Sequence, residues 1–502
     1  MSTAAEWHSA AQLPRPGRPR RRALVALATG GACVLATLTF AFLSRGPSPQ
    51  RSAADGVVKP TAPVPQPYDY DDDAEYGVEK FDTAAANTAD YEAAPACGHC
   101  MWARCRTNRC GQWFPDNQPD GYARNFCMCG CCRRQCGFPR FCHAGVPYIS
   151  EGWRTRVTTL ALSGSPLLLP AQTAVSDDGA TLYVADELGH SVRSVDMATG
   201  EVRTLAGTGE MGAEDGTGTA ATFRNPRGLA RIPGSSPAKL VVADTGNNRL
   251  RLLTLGDGGG APSVTTLAGS GEEDIADGFG TNSAFAFPKG LAATDAFVLV
   301  ADSGNDAIRM VTFDDRLTTT VAGEYEQPPH DGPLDGLGSA ARFSQPTGIA
   351  LSADESRAFV ADAGNNAIRA IDMVSFEVTT LAGTGKHGVA EGHDSSFFVP
   401  SDLALHADGE HLQLVDSKNR LVRMLDLRRC DSAGRKCYTS ASAGFPGVPG
   451  AADGVGPAAR FGLANAISAL PDSNVDEARF AVSDGELKSI RLVTISRKDE
   501  RA

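Results

Sequence analysis

The chain has 502 residues, 42% of them hydrophobic and 21% charged, with a formal net charge of −12; this composition fits a globular protein with appendages. The charge is uneven: residues 151–502 carry 31 Lys and Arg against 46 Asp and Glu, a net −15, whereas 97–142 carry seven Arg against two Asp. An acidic major domain speaks against a nucleic-acid partner, because that affinity rests largely on neutralised phosphates.

From the N-terminus, residues 1–22 form a basic tail ending in Arg-Pro-Gly-Arg-Pro-Arg-Arg-Arg (15–22), followed by 21 residues without a charge at 23–43. That length spans about 30 Å of hydrocarbon. With the basic cluster before the span and a lone Arg45 after it, the positive-inside rule keeps the tail cytosolic and translocates the rest. The expected topology is a single-pass type II membrane protein of the secretory pathway, in the Golgi or at the cell surface. A cleaved signal peptide is the alternative. The lack of any Asn-x-Ser/Thr acceptor in the chain weighs mildly against a lumenal domain. Residues 44–96 read as a linker, with Pro at 47, 49, 60, 63, 65 and 67 and the acidic run YDYDDDAEYGVEKFD at 68–82. Proline at that density favours extended chain. The acidic run reads as a solvated stalk, with sulfation of Tyr68, Tyr70 and Tyr76 as the sharper alternative.

Residues 97–150 contain ten cysteines: Cys97, Cys100, Cys105, Cys110, Cys127, Cys129, Cys131, Cys132, Cys136 and Cys142. In an oxidising lumen this is a disulfide-stapled module of undetermined connectivity. The rival is zinc, on Cys97 and Cys100 with His99 and His143 nearby, against which the adjacent Cys131 and Cys132 count. Further on, Cys430 and Cys437 bracket six residues of a hairpin loop, a spacing compatible with one more bridge.

The remainder repeats. VVADTGNNRLRL (241–252), VADSGNDAIRMV (300–311) and VADAGNNAIRAI (360–371) have weaker copies at 184–195, 415–425 and 482–492. The marker aspartates Asp186, Asp244, Asp302, Asp362, Asp416 and Asp484 are 58, 58, 60, 54 and 68 residues apart. Each unit reads as four strands: a Pro-x-Gly-Ile/Leu-Ala inner strand, a run ending in Val-Ala-Asp, an Ile-Arg-x-Val/Ile strand with its Arg outward, and Val-Thr-Thr-Leu-Ala. Gly-Asn-Asn supplies the turn between the second and third strands, since both residue types tolerate positive φ; in the sixth unit the turn shrinks to Asp484-Gly485-Glu486. Radially repeated four-stranded units make a β-propeller. The last unit lacks its fourth strand, and Val157-Thr158-Thr159-Leu160-Ala161 supplies it from the other end. The expectation is therefore an all-β, six-bladed propeller over 153–495, closed by an N-terminal strand and followed by a tail at 496–502.

The Val-Ala-Asp-x-Gly-Asn-x-x-Ile-Arg stretch resembles the NHL-repeat family over about residues 155–495. It matches well in units two to four and loosely in the others. The resemblance implies the same propeller. Family members that bind RNA do so through a basic face, which this acidic domain lacks.

The repeated Asp-x-Gly-Asn-Asn carries calcium-type oxygens, yet its recurrence in nearly every unit points to a turn-fixing scaffold. Arg251, Arg309, Arg369 and Arg423 are expected to pair between blades or face solvent. Specificity should lie where units differ: Gln172, Arg227, Lys289, Thr347, Asp402 and Asn465, at the starts of the inner strands, are the candidate ligand-binding residues of a channel mouth. No metalloprotease helix motif, nucleophile elbow or phosphate loop is present, so no catalytic residue is assigned. His387, His393, His406 and His411 crowd one unit and are expected to be solvated loop residues. No cofactor is predicted; a structural or catalytic calcium or zinc ion stays open. The expected function is an interaction scaffold for a protein, peptide or glycan, with a metal-assisted propeller hydrolase or lyase as the alternative.

Overall fold

The computed structural model describes residues 153–256, 260–323, 332–471 and 476–497. The basic tail, the 23–43 span, the linker and the ten-cysteine segment lie outside them. Among the described residues no helix is long and apolar enough to cross a membrane.

Six four-stranded antiparallel blades follow one another, beginning with Pro170–Val175, Thr181–Asp186, Ser191–Asp196 and Glu201–Ala206. Blade five comprises Pro400–Leu405, His411–Asp416, Leu421–Asp426 and Tyr438–Gly444. Blade six takes three strands from the C-terminal end, Ala464–Ala469, Glu477–Asp484 and Ser489–Arg497, and its fourth from Trp153–Thr159. The closing strand runs antiparallel to the third, with Val157 opposite Val493 and Trp153 opposite Arg497. It starts four residues earlier than the Val-Thr-Thr-Leu-Ala pattern suggests. In five of the sheets a two-residue strand pairs along the outer edge, for example Gly278–Phe279 against Leu317 and Thr318, and covers part of an edge that would otherwise be open.

The core is divided among the seams between blades. Ala185 and Val192 of the first blade pack with Leu240, Val242 and Leu253 of the second. A phenylalanine from the connecting loop is buried at five seams: Phe223, Phe285, Phe343, Phe397 and Phe461, each contributing about 1.5–3 kcal/mol of apolar burial.

The marker turn meets the sequence expectation for its asparagine but not for its glycine, which does not take a positive φ. The left-handed residue is the one after the Asn position: Asn248, Asp306 and Asn366, and equally His190, Arg420 and Lys488, with φ between 44° and 59°. The glycine of Gly-Asn is needed for a close approach instead, since a Cβ on Gly364 would lie 2.8 Å from the Ser344 carbonyl oxygen. The sixth turn does not shrink. Asp484 pairs with Ser489 as Asp244 pairs with Arg249, and Leu487 occupies the Asn position.

Candidate functional site

The repeated polar residues are consumed by the scaffold. Asp244 accepts a hydrogen bond from Arg224 N at 2.7 Å, from Asn247 Nδ2 at 2.8 Å and from Arg251 Nη1 at 2.8 Å. Arg251 also donates to Asp215 Oδ1 at 2.7 Å and to the carbonyls of Thr222 and Glu214, while its guanidinium lies 5.3 Å from the Phe223 ring. The arrangement recurs at Arg309, with Asp302, Asp277 and Phe285, and at Arg369, with Asp362, Asp335 and Phe343. Arg423 keeps Asp416 and Phe397. The outward or inter-blade orientation expected of these arginines is therefore wrong. Their side chains are fully buried within their own blades, because one or two carboxylates, backbone carbonyls and an aromatic face together replace water around the guanidinium.

The six candidate mouth residues fall on two registers. Lys289, Thr347 and Asn465 follow the first inner-strand residue and Arg227 stands at the equivalent place just before Gly228–Ile232, whereas Gln172 and Asp402 come one position later, where three other blades have Gly228, Gly290 and Gly348. The inner strands approach so closely that a Cβ on Gly228 or Gly290 would lie 1.9 Å from the Lys289 or Thr347 carbonyl oxygen. Gln172 uses this space. Its Oε1 accepts from Leu229 N at 2.9 Å and Leu291 N at 3.0 Å, and its Nε2 donates to Leu291 O at 3.2 Å, so one side chain ties three blades. Asp402 is buried; Oδ2 accepts from Ile467 N at 3.0 Å, and Oδ1 has no hydrogen-bond partner among the described residues. Burial pushes its carboxyl up to about 7. Asn465 donates to Pro170 O at 2.9 Å, Thr347 to the Ala361 and Pro400 carbonyls at 3.3 Å, and Arg227 pairs with Glu187 at 3.2 Å. Lys289 is half-buried beside them.

The histidines do not behave as one group. His393 is exposed and lies against Lys436 O and Tyr438, and the His387 ring lies 5.3 Å from that of Phe398, tilted by 40°. His406 and His411 are buried, at 4% and 0% exposure, contrary to the expectation of solvated loop residues. They flank the turn joining the first two strands of blade five. The ring centroids are 5.5 Å apart, and Trp153 of the closing strand stands edge-on to both at 6.2 and 5.6 Å. Asp408 Oδ2 lies 2.6 Å from His411 Nδ1; on the other side of that ring, Nε2 has Arg428 Nη2 at 2.8 Å and Asp426 Oδ2 at 3.7 Å. Gln413 Nε2 lies 3.2 Å from His406 Nε2. Burial pushes His406 down to about 4. At His411 burial opposes the charge, but the Asp408 and Asp426 carboxylates outweigh it and raise the ring to about 9. One ligand atom from each of His406, Asp408 and His411 lies within 4.8 Å of the others. The sequence signal was present in His-Ala-Asp-Gly-Glu-His; what it lacked was Trp153, which covers the site from about 250 residues away.

Cys430 and Cys437 are joined by a disulfide in the loop between the third and fourth strands of blade five.

No family model matches the chain. NHL repeat-containing protein 2 of Bos taurus is 29% identical over 280 residues, covering 49% of this chain and 37% of that protein. Its Homo sapiens counterpart gives 29% over 272 residues, with the same shares of both chains. Protein SUPPRESSOR OF QUENCHING 1, chloroplastic, of Arabidopsis thaliana is 28% identical over 260 residues, 49% of this chain and 24% of that one. The chain thus spans little more than a third of the length of these curated relatives, or less. Among solved structures, a structural genomics protein of unknown function from Bacteroides thetaiotaomicron aligns with 68% of this chain and 76% of its own, at 15% identity and a TM-score of 0.49.

Proposed function

We propose that this chain, whose repeats are NHL repeats folded into a six-bladed propeller, is a membrane-anchored interaction scaffold that holds a protein or peptide on the face carrying the Asp-x-Gly-Asn turns. The observation that carries this reading is the position of three apolar side chains. Leu168, Leu188 and Met211 are 41%, 52% and 60% exposed. All three lie on loops at the turn end of the first blade or leading from it to the second, and the loop of Leu168 is pinned by Asp186, which accepts from Leu168 N and Leu169 N. Large apolar side chains on pinned loops suit a partner surface better than a solvated one.

The channel offers less. Gln172, Asn465 and Thr347 spend their polar groups on neighbouring blades, so a hydrolase or lyase at the mouth would have to break those bonds to engage a substrate. The anchor reading rests on the uncharged 23–43 stretch behind the basic 15–22 cluster. An oxidising side for the propeller fits the Cys430–Cys437 bridge. The experiment is site-specific photocrosslinking in the full chain. A probe at Leu188 should capture a partner that a probe at Val374, an exposed residue at the opposite end of the blades, does not. Equal capture from both positions would sink the proposal.

A further inference from the structure

We propose that His406, Asp408 and His411 form a binding site for a divalent transition-metal ion, zinc by donor type, at the seam between blade five and the closing strand. The first argument is that the turn does not require histidine. The same turn occurs in blades one and four, where the two flanking positions are Ser176 and Thr181, and Ser352 and Arg357. Its backbone closes alike in all three: Ser176 N to Thr181 O at 2.9 Å, Ser352 N to Arg357 O at 2.9 Å, His406 N to His411 O at 2.8 Å. The middle aspartate also has one structural task throughout, with Asp178, Asp354 and Asp408 each accepting backbone N–H bonds inside the turn. Blade five alone adds two imidazoles, one at each end of this aspartate-centred turn.

The second argument is geometric. Asp408 uses Oδ1 for the turn, accepting from Glu410 N at 2.8 Å and His411 N at 3.2 Å, which leaves Oδ2 facing His411 Nδ1. Two nitrogens and a carboxylate oxygen lie within 4.8 Å of one another; to share a tetrahedral ion at metal–ligand distances of about 2.0–2.2 Å they need separations of about 3.3 Å, so the His411 Nδ1–Asp408 Oδ2 pair opens from 2.6 Å as His406 moves in. Two of the three donors stand at strand ends and the third in the turn between them, so a change in the turn and side-chain rotation suffice. The ion replaces the proton shared by His411 and Asp408, which leaves to solvent. Asp426 lies beyond the far nitrogen of His411, where an outer carboxylate orients a metal-bound imidazole once the exposed Arg428 side chain swings away. At His406 the Gln413 amide nitrogen faces Nε2 at 3.2 Å while Ser442 Oγ donates to the Gln413 Oε1 at 3.1 Å; a flip of that amide brings its oxygen to Nε2, where it accepts from a metal-bound imidazole. Trp153 and Phe480, the latter 5.0 Å from the His406 ring, wall the donors from water. Three protein ligands leave one coordination position for water.

The chemistry recommends zinc, since two imidazoles and one carboxylate are a borderline donor set. The test uses the full chain, stripped with a chelator and titrated with Zn²⁺ and with Co²⁺ as spectroscopic reporter. The ten cysteines at 97–142 are a second possible sink, so the readout is the difference between the wild type and D408N, which keeps an amide oxygen for the turn but loses the carboxylate. H406Q/H411Q is the second variant, and H393Q, on the same blade outside the cluster, is the control. The expected result is one ion fewer, or at least ten-fold weaker binding at one site, in D408N and H406Q/H411Q but not in H393Q. The lost Co²⁺ bands should be those of nitrogen and oxygen ligands without thiolate charge transfer. Equal stoichiometry and affinity in the wild type and D408N overturn the proposal, as does loss confined to thiolate-type bands.

Discussion

Val157 faces Val493 across the outer pair of strands in the last blade, although 336 residues separate them in the chain. Both side chains are fully buried. Removing residues up to Thr159 leaves Ser489–Arg497 as an unpaired edge and opens the seam that Trp153 covers. A chain that begins at Leu160 is expected to lose the single cooperative thermal transition and to aggregate. Calorimetry with light scattering checks this; an unchanged transition would mean that ring closure does not depend on this strand.

Arg251 and Asp244 are both excluded from water, so removing Arg251 leaves the buried carboxylate without its guanidinium partner, and removing Asp244 leaves Arg251 to Asp215 alone. D244A is expected to cost about 3–5 kcal/mol, and R251M a similar amount. The D244A/R251M double variant should cost clearly less than the sum, because each single loss already removes the bond between the two. Urea denaturation of the cycle gives the coupling; strict additivity would show that the pair is not a unit.

Asp402 titrates against folding. Its folded carboxyl sits at about 7, above the ordinary unfolded value of about 3.9. Its contribution to stability is therefore fully present below about pH 4 and lost as pH rises through 7. D402N should abolish this slope and be the more stable protein at pH 8, by up to about 4 kcal/mol. The measurement is the difference in urea midpoint between wild type and variant across pH 5–8. A difference that stays constant over that range would show that the carboxyl is charged throughout.

The Cys430–Cys437 bridge closes a short loop, and C430S/C437S should cost about 2 kcal/mol. Mass spectrometry of the unreduced protein should find the two residues linked when the full chain is made in the secretory pathway. Free thiols at both positions in that material would count against an oxidising location.

D354N converts the exposed Asp354-Glu355-Ser356 turn into an N-glycosylation acceptor in a chain that otherwise has none. A type II orientation predicts a glycosidase-sensitive mass increase for D354N in cells. Its absence in a folded, membrane-associated product would reverse the topology.

The sequence alone determined the repeat, the number of blades and the strand borrowed from the N-terminal side, because strands and turns are written in local patterns of period two and in Gly, Asn and Pro. It also determined that Asp244 and its counterparts are scaffold, since a unique site cannot recur six times. Only the tertiary structure decided what surrounds each side chain. Alternation assigns a residue to one face of a sheet, but in a propeller both faces are covered by neighbouring blades, so Arg251 is buried where the pattern suggested solvent. Likewise His406 and His411 look like hairpin residues until Trp153, brought back by ring closure, seals them from water. Burial and long-range pairing depend on how the blades pack together, and no local window of residues contains that information.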